Sequence, residues 1–452
     1  MKKGLLCLAN ILLLVVTLNA QISKEEIFKK MEGYWQGAFI KNNSFQKIDL
    51  RFYKEKEQIN SLQIVKEWHP QFGEFVLPVT IDSLNKIIFN TGYGKAIMEF
   101  DRNSLEMIGQ IENSLPTIYL HLKKAPIPPK SQYNVEEVRI KNKEVTLFGH
   151  LHQPKRQSKT AIIIIGGRGC YAGDTKHNLY AKFFREYGLS VLVYNKRGTG
   201  ESSGDCATAT IADLASDLAT CRNYLAQLPN QFTTIGVLGS SAGGWVMTKA
   251  EEAVDFDFMI SVVGPSTSVK DQQLQSMEYG FDLFKLSSSA RSNLMDYTKM
   301  MFEAEASAAS FEKFEALLEL SKQEGWYELL ENTDIPSSVD GINDLWVRRH
   351  NYDPKTPLST FNKPFLAVYG EADWIVPYKE NISRLKELFS GDRKELLNII
   401  TAHESGHSTE AEGKYITLEN DKSYWRFFRI APSVKVGIVD FLIKYNLIEG
   451  DN

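Results

Sequence analysis

The hydrophobic rhythm of the chain changes three times. From 21 to about 125, short segments such as IDLRFY, KIIFN, KAIMEF, EMIGQI and TIYLHL follow one another, many alternating apolar and polar residues, with Asn, Gly, Asp and Ser between them. A period of two puts successive side chains on opposite faces of a strand, so this stretch predicts a β-rich domain that closes as a small barrel or sandwich. Gly33-Tyr34-Trp35 opens its first strand. The prolines of Ala125-Pro126-Ile127-Pro128-Pro129-Lys130 donate no ladder hydrogen bond and hold the chain extended, which predicts a linker over 126–134.

A second regime runs from about 135 to 450. EEVRI and VTLFGHLHQP predict a hairpin, and Ala161 to Ile165 is an unbroken apolar run suited to a strand buried on both faces. Helical and strand-length segments then alternate: LYAKFFREYG, SVLVYN, IADLASDLATCRNYLAQ, IGVLG and FDFMISVVG. Such alternation predicts right-handed βαβ units, and so an α/β fold with a doubly wound, mostly parallel sheet. From about 266 to 352 the strands stop, while Phe, Leu, Met and Tyr recur at three- and four-residue steps. A helical insertion is predicted there, either a lid over the carboxyl edge of the sheet or a purely structural subdomain. FLAVYG, SRLKELFS, LLNIITA and a closing amphipathic helix resume the alternation.

Met1 to Ala20 reads differently: two lysines, an uncharged apolar run, then Leu18-Asn19-Ala20. This is the layout of a secretory signal peptide, and the run is short for a membrane span. An exported protein is expected, periplasmic or extracellular, with no stable membrane insertion once the signal is cut. A formal net charge of −4, with neither a basic stripe nor an RNA-binding motif, gives nucleic acid no footing. Cys170, Cys206 and Cys221 survive export, and an odd number leaves at least one free thiol or an intermolecular bond.

The candidate chemistry centres on Thr234 to Met247, TIGVLGSSAGGWVM. An apolar strand passes through Gly239-Ser240-Ser241-Ala242-Gly243 into a helical segment, and small residues flank Ser241 on both sides. A serine on a sharp strand-to-helix turn needs that, because the strained backbone tolerates no bulk beside it. Gly200-Glu201-Ser202-Ser203-Gly204 matches the same G-x-S-x-G pattern, but no helix follows it at once, so Ser202 is read as a loop residue. Asp373 and the cluster His403-Glu404-Ser405-Gly406-His407 each sit just past a strand end.

The order Ser241, Asp373, His407 resembles the α/β-hydrolase fold, over about 135 to 447. Gly166-Gly167-Arg168-Gly169 resembles the family's oxyanion loop. Asn195-Lys196-Arg197-Gly198-Thr199-Gly200-Glu201-Ser202 resembles the loop after its fourth strand, with Asn195 where aspartate is usual. Gly370-x-x-Asp373-x-x-Val376-Pro377 resembles the acid loop. The nearest likeness is to exported bacterial hydrolases of the dienelactone-hydrolase or serine-aminopeptidase type with a β-rich front domain. The resemblance implies ester, thioester or peptide substrates, so a small-molecule ester or a short peptide as partner. It also implies Ser241 as nucleophile, His407 as base, Asp373 as its orienting acid, and the amides of Arg168 and Ala242 as the oxyanion site, without cofactor or metal. The Arg168 side chain faces either an acidic substrate or solvent. Neighbouring third and fourth strands in that fold would bring Cys170 near Cys206, leaving Cys221 in the packing; three reduced thiols are the alternative.

His403-Glu404-Ser405-Gly406-His407 is also a literal H-E-x-x-H, the zinc-protease signature. That motif needs a helix to put both histidines on one face, whereas this one follows an apolar strand and contains Gly406. His403 is a second candidate base. The sequence thus points to an exported carboxylic-ester hydrolase, with a serine peptidase as alternative, a zinc protease through His403 and His407 as a more distant one, and a non-catalytic binding barrel as the remaining class.

Overall fold

The computed structural model describes residues 23–41, 44–64, 74–127, 133–154, 159–173, 175–176, 178–229, 231–409 and 430–448. The expected signal segment, Met1 to Ala20, and residues 128–132 of the expected linker lie outside them. The chain divides into two compact units.

The first unit is a closed antiparallel barrel: β1 (Gly33–Lys41), β2 (Ser44–Glu55), β3 (Gln58–Ile64), β4 (Glu74–Ile81), β5 (Ile87–Thr91), β6 (Gly94–Asp101), β7 (Glu106–Ile111) and β8 (Ile118–Lys124). Pairing of β1 with β8 closes it, which settles barrel over sandwich. Alternate residues point inward, and the interior is packed with Trp35, Phe52, Phe89, Met98 and Leu122. Trp35 and Phe52 meet edge to face at 6.2 Å, and Phe52 meets Phe89 at 5.7 Å. A helix precedes the barrel that the strand pattern did not predict, α1 (Lys24–Met31). Ser23 caps it, accepting from the Glu26 N–H at 3.2 Å, and its apolar face buries Ile27, Phe28 and Met31. The Trp35 indole N–H donates to the Met31 carbonyl at 2.7 Å, so the strand's tryptophan fastens the helix as well as filling the core. At eight residues, beside so many strands, its periodicity is too brief to stand out.

The second unit is built on an eight-stranded sheet. Its strands are β9 (Tyr133–Asn142), β10 (Val145–Pro154), β11 (Thr160–Ile165), β12 (Ser190–Tyr194), β13 (Thr234–Ser240), β14 (Met259–Val262), β15 (Phe365–Gly370) and β16 (Leu397–Ala402), in the order β16-β15-β14-β13-β11-β12-β10-β9. All but the β9–β10 hairpin and its junction with β12 are parallel. The crossovers are α2 (Leu179–Glu186), α3 (Ile211–Gln227), α4 (Gly243–Glu251), the helical insertion, and α10 (Tyr378–Leu388), with α11 (Pro432–Lys444) closing the chain. The insertion holds α5 (Val269–Leu283), α6 (Ser288–Glu303), α7 (Ala308–Glu324) and α8 (Trp346–Arg349); α9 (Lys355–Thr360) leads back to the sheet.

The apolar run of β11 explains both layers. Ile163 and Ile165 join the core with Leu218 of α3 and Trp245 of α4, while Ile162 and Ile164 join the opposite core with Phe184 of α2 and Ile438 of α11. Each such fully buried isoleucine contributes about 2 kcal/mol of apolar burial. Leu294, Tyr297, Phe314 and Trp326 of the insertion belong to the same continuous core as the α3–α4 face, so the insertion is packed onto the sheet rather than hung from it. Among the described residues no helix is long and apolar enough to cross a membrane.

Candidate active site

β13 brings Ser241 to the carboxyl edge of the sheet. Its φ is +53°, the left-handed region that a serine rarely adopts, and its N–H is held by the Val262 carbonyl at 2.9 Å. The turn is tight enough that a Cβ on Gly239 would stand 2.5 Å from the Gly243 carbonyl oxygen, which is why the flanking residues are small. Ser202, the other match to the pattern, is tied into the fold: its hydroxyl donates to the Asn195 carbonyl at 2.8 Å and accepts from the Phe148 N–H at 2.8 Å.

Asp373 follows the end of β15, and its side chain is fully buried. Its Oδ1 accepts the N–H groups of Ile375 at 2.9 Å and Val376 at 3.1 Å, which fixes the carboxylate plane. Oδ2 lies 2.8 Å from His407 Nδ1, and His407 Nε2 lies 2.9 Å from Ser241 Oγ. A carboxylate at Nδ1 selects the tautomer protonated there, so Nε2 offers its lone pair to the serine hydroxyl. The histidine loop reaches this position because β15 ends in a glycine: a Cβ on Gly370 would lie 2.3 Å from the Ser405 carbonyl oxygen. The structure therefore brings Ser241, Asp373 and His407 together.

His403 goes elsewhere. It is exposed, with Nδ1 2.7 Å from a Glu371 carboxylate oxygen, and that hydrogen bond raises its pKa. The H-E-x-x-H segment is a turn in which Glu404 takes a φ of +54°, not a helix. Its two histidines face different carboxylates, and among the described residues no group of three or more His, Cys, Asp and Glu is arranged to hold a metal. A family described as alpha/beta hydrolase fold matches residues 161–410, more than half of the chain. The chain belongs to the α/β-hydrolase family. No curated protein matches it in sequence. Among solved structures, the Pyrococcus furiosus esterase Pf2001 shares 16% identity, with a TM-score of 0.43 over 71% of this chain and 95% of its own. Est1E from Butyrivibrio proteoclasticus, with ferulic acid bound, shares 15% identity, TM-score 0.40, over 68% of this chain and 99% of its own. A proline iminopeptidase from Mycobacterium smegmatis shares 14%, TM-score 0.43, over 69% and 99%.

In this α/β hydrolase the loop after β11 carries Arg168, whose backbone N–H, like that of Ala242, donates to no protein acceptor among the described residues. The Arg168 side chain does not point to open solvent, correcting that expectation. It pairs with the buried Asp334 carboxylate at 2.6 Å, donates to the Thr333 hydroxyl, and lies 4.4 Å from the centre of the Trp346 ring. Those partners lie in the helical insertion, 165 residues and more along the chain, so no local pattern announced them. Lys196 Nζ donates to the carbonyls of Gly167 and, at 3.2 Å, Gly169. Cys170 is bonded to Cys206 with Cα atoms 5.7 Å apart, while Cys221 is buried and free. Three devices thus fasten one loop.

The cavity above Ser241 holds about 320 Å³ and is walled by Met277, Leu329, Trp374, Gln273 and Ser276, with Glu328 and Glu331 also lining it. The insertion supplies much of that wall, apolar through Met277 and Leu329 and polar through Gln273, Ser276, Glu328 and Glu331. Reduction of the Cys170–Cys206 bridge is expected to lower stability by about 2–4 kcal/mol. Urea midpoints with and without reductant, with Cys206→Ser as the matched variant, measure it; equal midpoints would show that the bridge constrains nothing.

Proposed function

We propose that this protein is an exported serine hydrolase that cleaves carboxylic esters through an acyl-enzyme. The observation that carries the proposal is the unbroken line from Asp373 through His407 to Ser241, at 2.8 and 2.9 Å. His407 Nε2 takes the proton as Ser241 Oγ attacks the ester carbonyl carbon, and Asp373 stabilises the imidazolium so formed. The tetrahedral oxyanion accepts the N–H groups of Ala242 and Arg168, a term worth about 3–4 kcal/mol per donor in comparable enzymes. Collapse expels the alkoxide, which takes the proton from His407. Water, deprotonated by the same histidine, then attacks the acyl carbon and restores Ser241. The layout of Met1 to Ala20 and the Cys170–Cys206 bridge support export, since disulfides persist in oxidising compartments.

Labelling by a fluorophosphonate probe, with and without chelator, tests the reading. Chelator-independent labelling is expected; no labelling, or activity lost to the chelator, overturns it. A second reading, a serine peptidase trimming short peptides, is favoured by Glu328 and Glu331. They line the cavity without an ion pair among the described residues, where a free ammonium group could be received. Comparing p-nitrophenyl butyrate with an aminoacyl p-nitroanilide decides between the two.

The Arg168 clamp should matter to the chemistry more than to binding. Asp334→Ala is expected to lower kcat on p-nitrophenyl butyrate by about tenfold, with KM little changed, because the Arg168 amide loses its fixed position. An unchanged kcat would mean that the loop holds its shape without the clamp.

A further inference from the structure

Behind the Arg168 loop lies a second cavity, of about 470 Å³, that contains neither Ser241 nor His407. It shares Arg168, Ala242 and Trp346 with the cavity above the serine, so the two adjoin. Its apolar wall is made by Ile211, Leu214, Trp245 and Val246. On its polar side converge Arg168, Lys196, Arg349 and His350.

Two of these cations have no directly paired carboxylate among the described residues. Lys196 gives its hydrogen bonds to two carbonyls and makes no ion pair among the described residues; burial pushes its pKa down to about 8. Arg349 likewise donates to the carbonyls of Ala209 at 2.7 Å and Asp344 at 3.0 Å; no carboxylate forms an ion pair with it among the described residues, though those of Asp344 and Asp205 act on it from further off. Arg168 has one acid, Asp334, and its Nε is buried without an acceptor. Glu331, exposed, is the one carboxylate on the cavity wall. His350 is 4% exposed and stacked on Trp346 at 4.3 Å; its Nδ1 donates to the Trp346 carbonyl, and its Nε2 has no partner among the described residues. Nε2 itself keeps accessible surface, so a polar occupant of the cavity can meet it. Lys196 and Arg349 therefore border a largely apolar chamber with their hydrogen bonds spent on carbonyls and no carboxylate directly paired to either, a setting that favours an entering anion.

We infer that this cavity binds the carboxylate of an organic acid. The anion sits between Lys196 and Arg349, and the apolar body of the acid lies against Ile211, Leu214 and Trp245. The site goes beyond the ester-hydrolase proposal and does not depend on Ser241. It makes an acid, whether the acidic end of a substrate or a released product, a specific ligand of the chamber next to the serine.

Calorimetric titration of the full chain with benzoate, and with benzamide as its neutral match, tests the inference. No turnover is needed, so the outcome stands apart from that of the fluorophosphonate experiment. Benzoate is expected to bind at one site, at least about tenfold more tightly than benzamide. Arg349→Met should weaken benzoate about tenfold or more, and Arg349→Lys, which keeps the charge, should weaken it less. Because Arg349 also ties two carbonyls, Ala207→Glu is the second variant. Ala207 is an exposed loop residue on the cavity wall, and the new carboxylate would occupy the cations and abolish benzoate binding. Equal binding of the two probes, no binding of benzoate, or benzoate binding that survives Arg349→Met and Ala207→Glu unchanged overturns the proposal. The last outcome would place the acid at the oxyanion site instead.

Discussion

Ser241→Ala is expected to lower the turnover of p-nitrophenyl butyrate by roughly six orders of magnitude and to abolish fluorophosphonate labelling. The size of the effect follows from what the substitution removes. The hydroxyl is the group that His407 Nε2 faces at 2.9 Å, and without it the histidine can activate only a loosely held water. The variant should fold, because the left-handed backbone at 241 is imposed by its surroundings and alanine is no bulkier than serine. Ser202→Ala is the control. It leaves the Phe148 N–H without its acceptor inside the fold, at a cost of about 1–3 kcal/mol in stability, and leaves labelling intact. Retained turnover in the Ser241 variant, measured on protein whose circular dichroism matches the parent, would falsify the assignment.

Asp373→Asn carries the second-largest expected effect, a fall in kcat of about 10⁴-fold. Asparagine has the same shape, and its carbonyl oxygen can still accept the N–H groups of Ile375 and Val376 at the Oδ1 position. That orientation places the amide NH₂ against His407 Nδ1, where a lone pair is now required. The histidine must then carry its proton on Nε2, and it can no longer accept from Ser241. Stability should change little while turnover collapses, which separates a role in orientation from one in packing. Turnover within tenfold of the parent would show that His407 is oriented by something other than this carboxylate.

The His403 and His407 pair shows how far a motif can be read without its backbone. Both residues were visible as candidate bases, and both follow the strand now seen as β16. What separates them is which carboxylate each meets, Glu371 for the first and Asp373 for the second, and those carboxylates arrive from a loop more than thirty residues earlier. Gly406 and the preceding strand already argued against a zinc helix. The observed turn, with Glu404 in the left-handed region, agrees.

Much of the fold was written locally. Alternation marked most of the barrel strands but not β4, whose EFVLPVTI does not alternate and holds Pro78; unbroken apolar runs marked the parallel sheet, and the glycines around Ser241 marked the turn, because each depends on residues a few positions apart. α1 escaped for the same reason in reverse: eight residues are too few for a helical period to be distinct, and its apolar face gains meaning only against the barrel core. The Arg168 clamp and the cationic cavity were beyond any local pattern. Arg168 could be seen as an unusual residue in a small-residue loop, but Asp334, Trp346, Arg349 and His350 reach that loop only when the insertion folds onto the sheet. Sequence alone determined most of the strands, the turn and the three residues that the fold brings into line. Tertiary structure alone decided which histidine joins it, what holds the loop beside it, and where Lys196, Arg349 and His350 gather, because Coulomb and hydrogen-bond partners are chosen by distance in space and not along the chain.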